Sequence, residues 1–186
     1  MALGHLHPRT EAFVEDVVGA IEEHVPIVEA YLVGSGAAGA FDPATSDVDL
    51  VVVVERPLGS ARRAVVERVG AIRCPVRDLE LVLYVEGAEP SDVELNLNHG
   101  EERPEAEAFW FVLDAALAAK HALPLRNGIP WGRLFEPVPD ERVREAVRES
   151  LEWSERRGDH FARVHAARAR HYLEHGEWIS KAEAQS

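Results

Sequence analysis

The chain has 186 residues, 46% of them hydrophobic, and a formal net charge of -13. That is enough apolar material for one ordinary domain or a small domain with a helical extension. The negative field disfavours DNA, RNA and other polyanions and suits a cationic substrate. A single cysteine, Cys74, excludes an intrachain disulfide and reads as a buried spectator thiol.

In chain order, Thr10 is placed to cap a helix whose apolar stripe is Phe13, Val14, Val17, Val18, Ile21 and Val25, ended by Pro26. The charges and histidines between Met1 and Glu15 are unlike a signal peptide. Val28 to Val33 reads as a short strand stopped by Gly34, followed by a small-residue segment to Ala40 and a turn-rich loop from Asp42 to Ser46. Leu50 to Val54 is a β-branched run typical of a strand covered on both faces. A helix over Ala61 to Ile72 and a strand over Leu79 to Val85 follow. Glu86 to Glu107 is acidic and loop-like. From Pro104 onward only helices are expected: Glu105 to Ala122, Asp140 to Arg157 and Asp159 to His175, with a Pro/Gly-rich connector between Pro124 and Pro139 and a further start at Ser180. No run of about 18 apolar residues is present to span a membrane. The expectation is a cytoplasmic α+β protein, with a small mixed sheet in residues 1–98 and an all-helical domain in residues 99–186.

The chemistry concentrates where the second strand begins. Asp47 and Asp49, two residues apart in an extended segment, point to one face. Their mutual repulsion is relieved by a hard divalent cation, and Mg²⁺ bridging them to triphosphate oxygens suits the pattern. Gly34 lets backbone approach a phosphate closely, Ser35 adds a hydroxyl, and Ser46 adds another. A third carboxylate is required to take a proton or complete the metal site. Glu80 stands in an otherwise apolar strand where an unpartnered carboxylate is costly; Asp78, of the same parity, is the competitor.

The sequence Val33-Gly34-Ser35-Gly36-Ala37-Ala38-Gly39, followed by Ser46-Asp47-Val48-Asp49-Leu50, resembles the signature of the polymerase-β-like nucleotidyltransferases. Asp92 to Asn98, Phe109 to Asp114, Leu134 to Pro139 and Glu177 to Lys181 resemble the aminoglycoside adenylyltransferases that modify streptomycin and spectinomycin. The resemblance implies Mg²⁺-dependent transfer of AMP from ATP to a hydroxyl of a cationic antibiotic. By position it implies Asp47 and Asp49 as metal ligands and Glu80 as base. Gly34, Ser35, Ser46, Asp114 and Lys181 fall at nucleotide contacts, and Asp159, His160 and Arg168 on the helix that contacts drug or nucleotide.

Two departures shape the expectation. Streptomycin modifiers carry a tryptophan where this chain has Asn98-His99-Gly100, which favours spectinomycin. The chain also stops soon after Lys181, where family members continue, so the expectation is that part of the cleft is missing or is supplied by another subunit of a homo-oligomer. The rivals are a nucleotidyltransferase fold that modifies another protein and a regulatory, antitoxin-like module. His171-Tyr172-Leu173-Glu174-His175 matches a zinc-peptidase pattern but sits in a last helical turn, where histidines favour the helix dipole.

Overall fold

Pro8, rather than Thr10, opens the first helix of the computed structural model, which describes residues 6–98, 101–104, 106–180 and 183–185. Helix α1 (Pro8–Glu22) is capped by His7, whose Nδ1 accepts from the Arg9 N–H at 3.2 Å. Proline's fixed φ and missing N–H suit the first helical position, and Thr10 turns inward with 1% exposure.

Strand β1 (Ile27–Leu32) runs into a one-turn helix α2 (Gly34–Ala37), then β2 (Val48–Val54), α3 (Arg62–Gly70) and β3 (Leu79–Val85). The acidic stretch is not all loop. It contains β4 (Val93–Asn98) and the short β5 (Glu101–Glu102), paired antiparallel. Helix α4 (Ala108–His121) leads to β6 (Leu123–Pro124), so the region after Pro104 is not purely helical either. Helices α5 (Asp140–Arg157) and α6 (His160–His175) follow, each closed by a left-handed glycine, Gly158 and Gly176. Among the described residues no helix is long and apolar enough to cross a membrane.

The six strands form one mixed sheet in the order β5-β4-β3-β2-β1-β6, with only the β2–β3 pair parallel. Strand alternation gives the sheet two characters. On one face Ala30, Leu32, Leu50, Val52, Leu81, Leu83, Leu95 and Leu97 bury against Val14, Val17, Val18 and Ile21 of α1 and Val65 and Val69 of α3. On the other, Tyr31, Val51, Val82 and Asn96 lie in one cross-strand row, and Asp49, Glu80 and Asn98 in the next.

Part of that second face is covered by the connector after β6, fixed by Glu29. This carboxylate is fully buried. Its Oε1 accepts from the Ala30 and Arg126 N–H groups at 2.9 and 2.7 Å, its Oε2 from those of Asn127 and Ile129 at 3.0 and 2.8 Å. Four charge-assisted bonds satisfy a group that would otherwise be costly to bury. The Tyr31 hydroxyl donates to the Ile129 carbonyl at 2.9 Å, and burial, then the Glu29 charge, push its phenol well above the ordinary value. Tyr31, Trp131, Phe135 and Tyr84 continue as a contiguous aromatic layer, with Trp131 stacked on Phe135 at 4.2 Å.

Contacts divide the chain into Met1–Ala106 with Leu117–Glu136, and Glu107–Ala116 with Pro137–Ser186. A break after Asn98 is therefore too early, and the connector belongs with the sheet. The reason is local: β5 pairs with β4, β6 pairs with β1, and Glu29 binds residues 126–129. The helical unit has its own core of Phe109, Val112, Leu113, Val143, Ala146, Val147 and Ala169.

Candidate active site

Gly34 holds the left-handed conformation (φ 59°) at the turn from β1 into α2, and the reason is Asp49. A Cβ built on Gly34 would lie 1.9 Å from Asp49 Oδ2 and 2.7 Å from its Cγ. Glycine is thus required twice, by the backbone angle and by the carboxylate packed against its Cα. The Val33 N–H donates to the Asp49 carbonyl at 2.9 Å, fixing the two segments together.

Strand β2 begins at Val48, two residues before the Leu50 start expected from the sequence, so Asp49 lies within β2 and Asp47 just before it. Asp47 is 9% exposed. Its Oδ1 is buried without a well-directed hydrogen bond, although Arg77 Nε approaches to 3.2 Å as an ion pair. Parallel register sets Glu80 beside Asp49, so their strands stand about 4.8 Å apart. Antiparallel register sets Asn98 beside Glu80, and its Nδ2 donates to Glu80 Oε1 at 3.0 Å. Asp78, the competing carboxylate, folds back to accept its neighbour Leu79 N–H at 2.8 Å.

Ser46 closes the loop before β2: its Oγ accepts from the Asp42 N–H at 3.1 Å and its N–H donates to the Asp42 carbonyl at 2.8 Å. Ser35 is half-buried in α2. Cys74 is half-buried against the core, and burial pushes its thiol up, with Asp78 and Asp47 adding to the rise.

The donor set fits Mg²⁺. Asp47 and Asp49 flank Val48 at the start of β2; Asp47 has a buried oxygen short of hydrogen bonds, and Asp49 sits in a cradle that only glycine leaves open. Among the described residues no three His, Cys, Asp or Glu side chains converge as a closed metal cluster. Mg²⁺ asks for no more, since it usually takes one or two carboxylates and fills its octahedron with phosphate oxygens and water.

The remaining sequence-named residues lie in the helical unit. Asp114 is exposed on α4. Asp159 caps α6, its Oδ1 accepting from the Ala162 N–H at 2.8 Å and its other oxygen pairing with Arg157. The Arg157 hydrogen bond, then the Ala162 N–H, hold its carboxyl below the usual range. His160 is exposed on the first turn of the same helix. Arg168 turns to the tail: Nε donates to the Ile179 carbonyl at 2.7 Å and the guanidinium lies 5.3 Å over the Trp178 ring. Lys181, and His99 and Gly100 of the tripeptide beside Glu80, lie outside the described residues. The rings of His171 and His175 pack with centroids 4.4 Å apart.

The acidic stretch is less available for cations than its composition implies. Glu94 accepts from the Leu58 N–H at 3.0 Å, and Glu102 pairs with Arg62 at 3.1 Å. Three residues at or near the site escaped the sequence reading of roles: Asn98 as the partner of Glu80, Arg77 as the partner of Asp47, and Glu29 as the anchor of the neighbouring connector. Only Glu29 carried a signal, a carboxylate inside an apolar strand.

A model of the nucleotidyltransferase domain family matches residues 14–102. The crystal structure of spectinomycin adenyltransferase AAD(9) from Enterococcus faecialis, with ATP and spectinomycin, aligns with a TM-score of 0.80 at 18% identity, over 94% of this chain and 80% of that one. The likeness establishes the fold. No curated protein sequence matches this one.

Proposed function

We propose that this chain, which carries a nucleotidyltransferase domain over residues 14–102 and shares the fold of a spectinomycin adenyltransferase, transfers AMP from ATP to a hydroxyl of a cationic aminocyclitol or aminoglycoside. One observation supports this above the others: Asp49 and Glu80 are paired across β2 and β3, with Asp47 two residues before Asp49 and Asp49 packed on the one residue type that admits it. Mg²⁺, held by Asp47 and Asp49, would supply charge neutralisation for the triphosphate. Glu80 accepts the proton of the acceptor hydroxyl. The hydroxyl oxygen then forms its bond to the α-phosphorus, and the bond to the leaving pyrophosphate breaks. Asn98 donates to Glu80 Oε1 and helps to orient the carboxylate. Ser35 and Ser46 offer hydroxyls to the phosphates.

The proposal extends to the helical unit. Asp114 and Lys181 serve the nucleotide; Asp159 and His160 serve the acceptor, with Asp159 meeting an ammonium group. Arg168 acts by holding Ile179, two residues before Lys181. The acceptor is expected to be of the spectinomycin type, because the tripeptide Asn98-His99-Gly100 offers no aromatic platform for streptomycin. The test is expression in a drug-sensitive bacterium with inhibitory concentrations for both drugs. Protection against spectinomycin, abolished by Glu80→Gln, supports the reading. Protection against streptomycin alone overturns the specificity. Protection against neither, with folded protein that binds Mg²⁺ and ATP, turns the reading toward a protein acceptor.

A further inference from the structure

Arg77 forms an ion pair with Asp47, one of the proposed metal ligands, and nothing in the chemistry above uses it. It stands three residues before Glu80, at the entrance to β3. Its Nε lies 3.2 Å from Asp47 Oδ1, and its Nη1 donates to the Thr45 carbonyl at 3.3 Å. The loop it touches is itself fixed, since the Asp42 carboxylate accepts from the Ala44 N–H and the Thr45 hydroxyl at 2.9 and 3.0 Å. Asp47 is nearly buried while the arginine side chain is 53% exposed, so a buried carboxylate meets a half-solvated cation.

The sign of its effect depends on what enters. A bare divalent cation is opposed by the guanidinium, which already neutralises one of the negative charges that would attract it. A metal–triphosphate complex has the reverse relation. ATP with one Mg²⁺ keeps a net negative charge, and the guanidinium attracts it. One side chain therefore weakens the site for free metal and strengthens it for metal with nucleotide. We infer that Arg77 makes metal occupancy of the Asp47–Asp49 site conditional on the triphosphate. The inference rests on the nucleotidyltransferase reading and adds a specificity-determining residue to it.

The experiment compares wild type with Arg77→Gln using two probes: Mn²⁺ alone, counted by its electron paramagnetic resonance signal, and Mg²⁺ with α,β-methylene-ATP, followed by calorimetry. Arg77→Gln should bind Mn²⁺ roughly two- to fivefold more tightly and the Mg²⁺–nucleotide complex weaker by a similar factor, the range for a half-exposed charge. Arg77→Lys should stay near wild type with both probes, and Arg77→Met, which keeps the aliphatic stem, replaces the glutamine variant if that fails to fold. Changes of the same sign for both probes would mean that Arg77 merely holds Asp47 in place, and no change in either would remove it from the site. Each result overturns the inference while wild-type binding leaves the parent reading intact. A folded wild type that binds neither probe overturns both.

Discussion

Replacing Gly34 with alanine tests the geometry at its tightest point. The new Cβ would fall 1.9 Å from Asp49 Oδ2, 2.7 Å from Cγ and 3.1 Å from Cβ. Ordinary carbon–oxygen contact is well over 3 Å, so the carboxylate must move by about 1 Å or the turn must open. A non-glycine residue at φ 59° adds about 1–2 kcal/mol of backbone strain. Displacements of that size at a reacting centre cost on the order of 10²-fold in rate. Gly39 supplies the control, with φ 72° and nothing within 4 Å of a built Cβ. Gly39→Ala carries the strain without the collision. Both variants should melt a few degrees lower, at about 2–4 °C per kcal/mol for a chain of this size. Only Gly34→Ala should lose Mg²⁺-dependent nucleotide binding and turnover. Wild-type affinity and rate in a folded Gly34→Ala protein would refute the claim that Asp49 must occupy that cradle.

Glu80→Gln should keep nucleotide affinity near wild type while transfer falls roughly 10²–10⁴-fold, the usual contribution of a positioned base; single-turnover kinetics beside calorimetry separates the two, and loss of binding with rate retained would move the base to Asp78. Glu29→Gln turns an amide NH₂ toward two of the four backbone donors and should cost about 2–4 kcal/mol; a melting temperature within 2 °C of wild type would show that the connector is held by other means. Asp159 has a folded-state pKa below its ordinary 3.8. Its stabilisation of α6 is therefore full above that value and lost as pH falls through the depressed one. The stability difference between wild type and Asp159→Ala should be flat from about pH 5 to pH 8 and shrink below about pH 4; a difference that grows with acid would refute the capping role.

Much of the site was legible because its residues sit in short-range patterns. Gly34, Asp47 and Asp49 are tied by a turn and a strand of period two, and Glu80 announced itself as a charge in an apolar run. What was lost depended on register or on distance along the chain. Val93, Leu95 and Leu97 alternate with Glu94, Asn96 and Asn98, a strand pattern masked by the surrounding acidic composition. That omission hid Asn98, since its contact with Glu80 exists only once β4 pairs with β3. Glu29 meets three of its four donors 97 or more residues away, where no local rule reaches. Thr10 lost the cap because Pro8 fits the first helical position better. The early domain boundary has the same origin as the missed strands: β5 and β6 are two residues each and leave no periodicity to read.

The most direct measurement incubates the purified protein with Mg²⁺, spectinomycin and ATP labelled at the α-phosphate. The account predicts label transferred to the drug with stoichiometric pyrophosphate, abolished by Asp47→Asn/Asp49→Asn and reduced by Glu80→Gln. Label transfer that persists in the double variant, or in EDTA, would contradict the assignment of these carboxylates as the metal and catalytic centre.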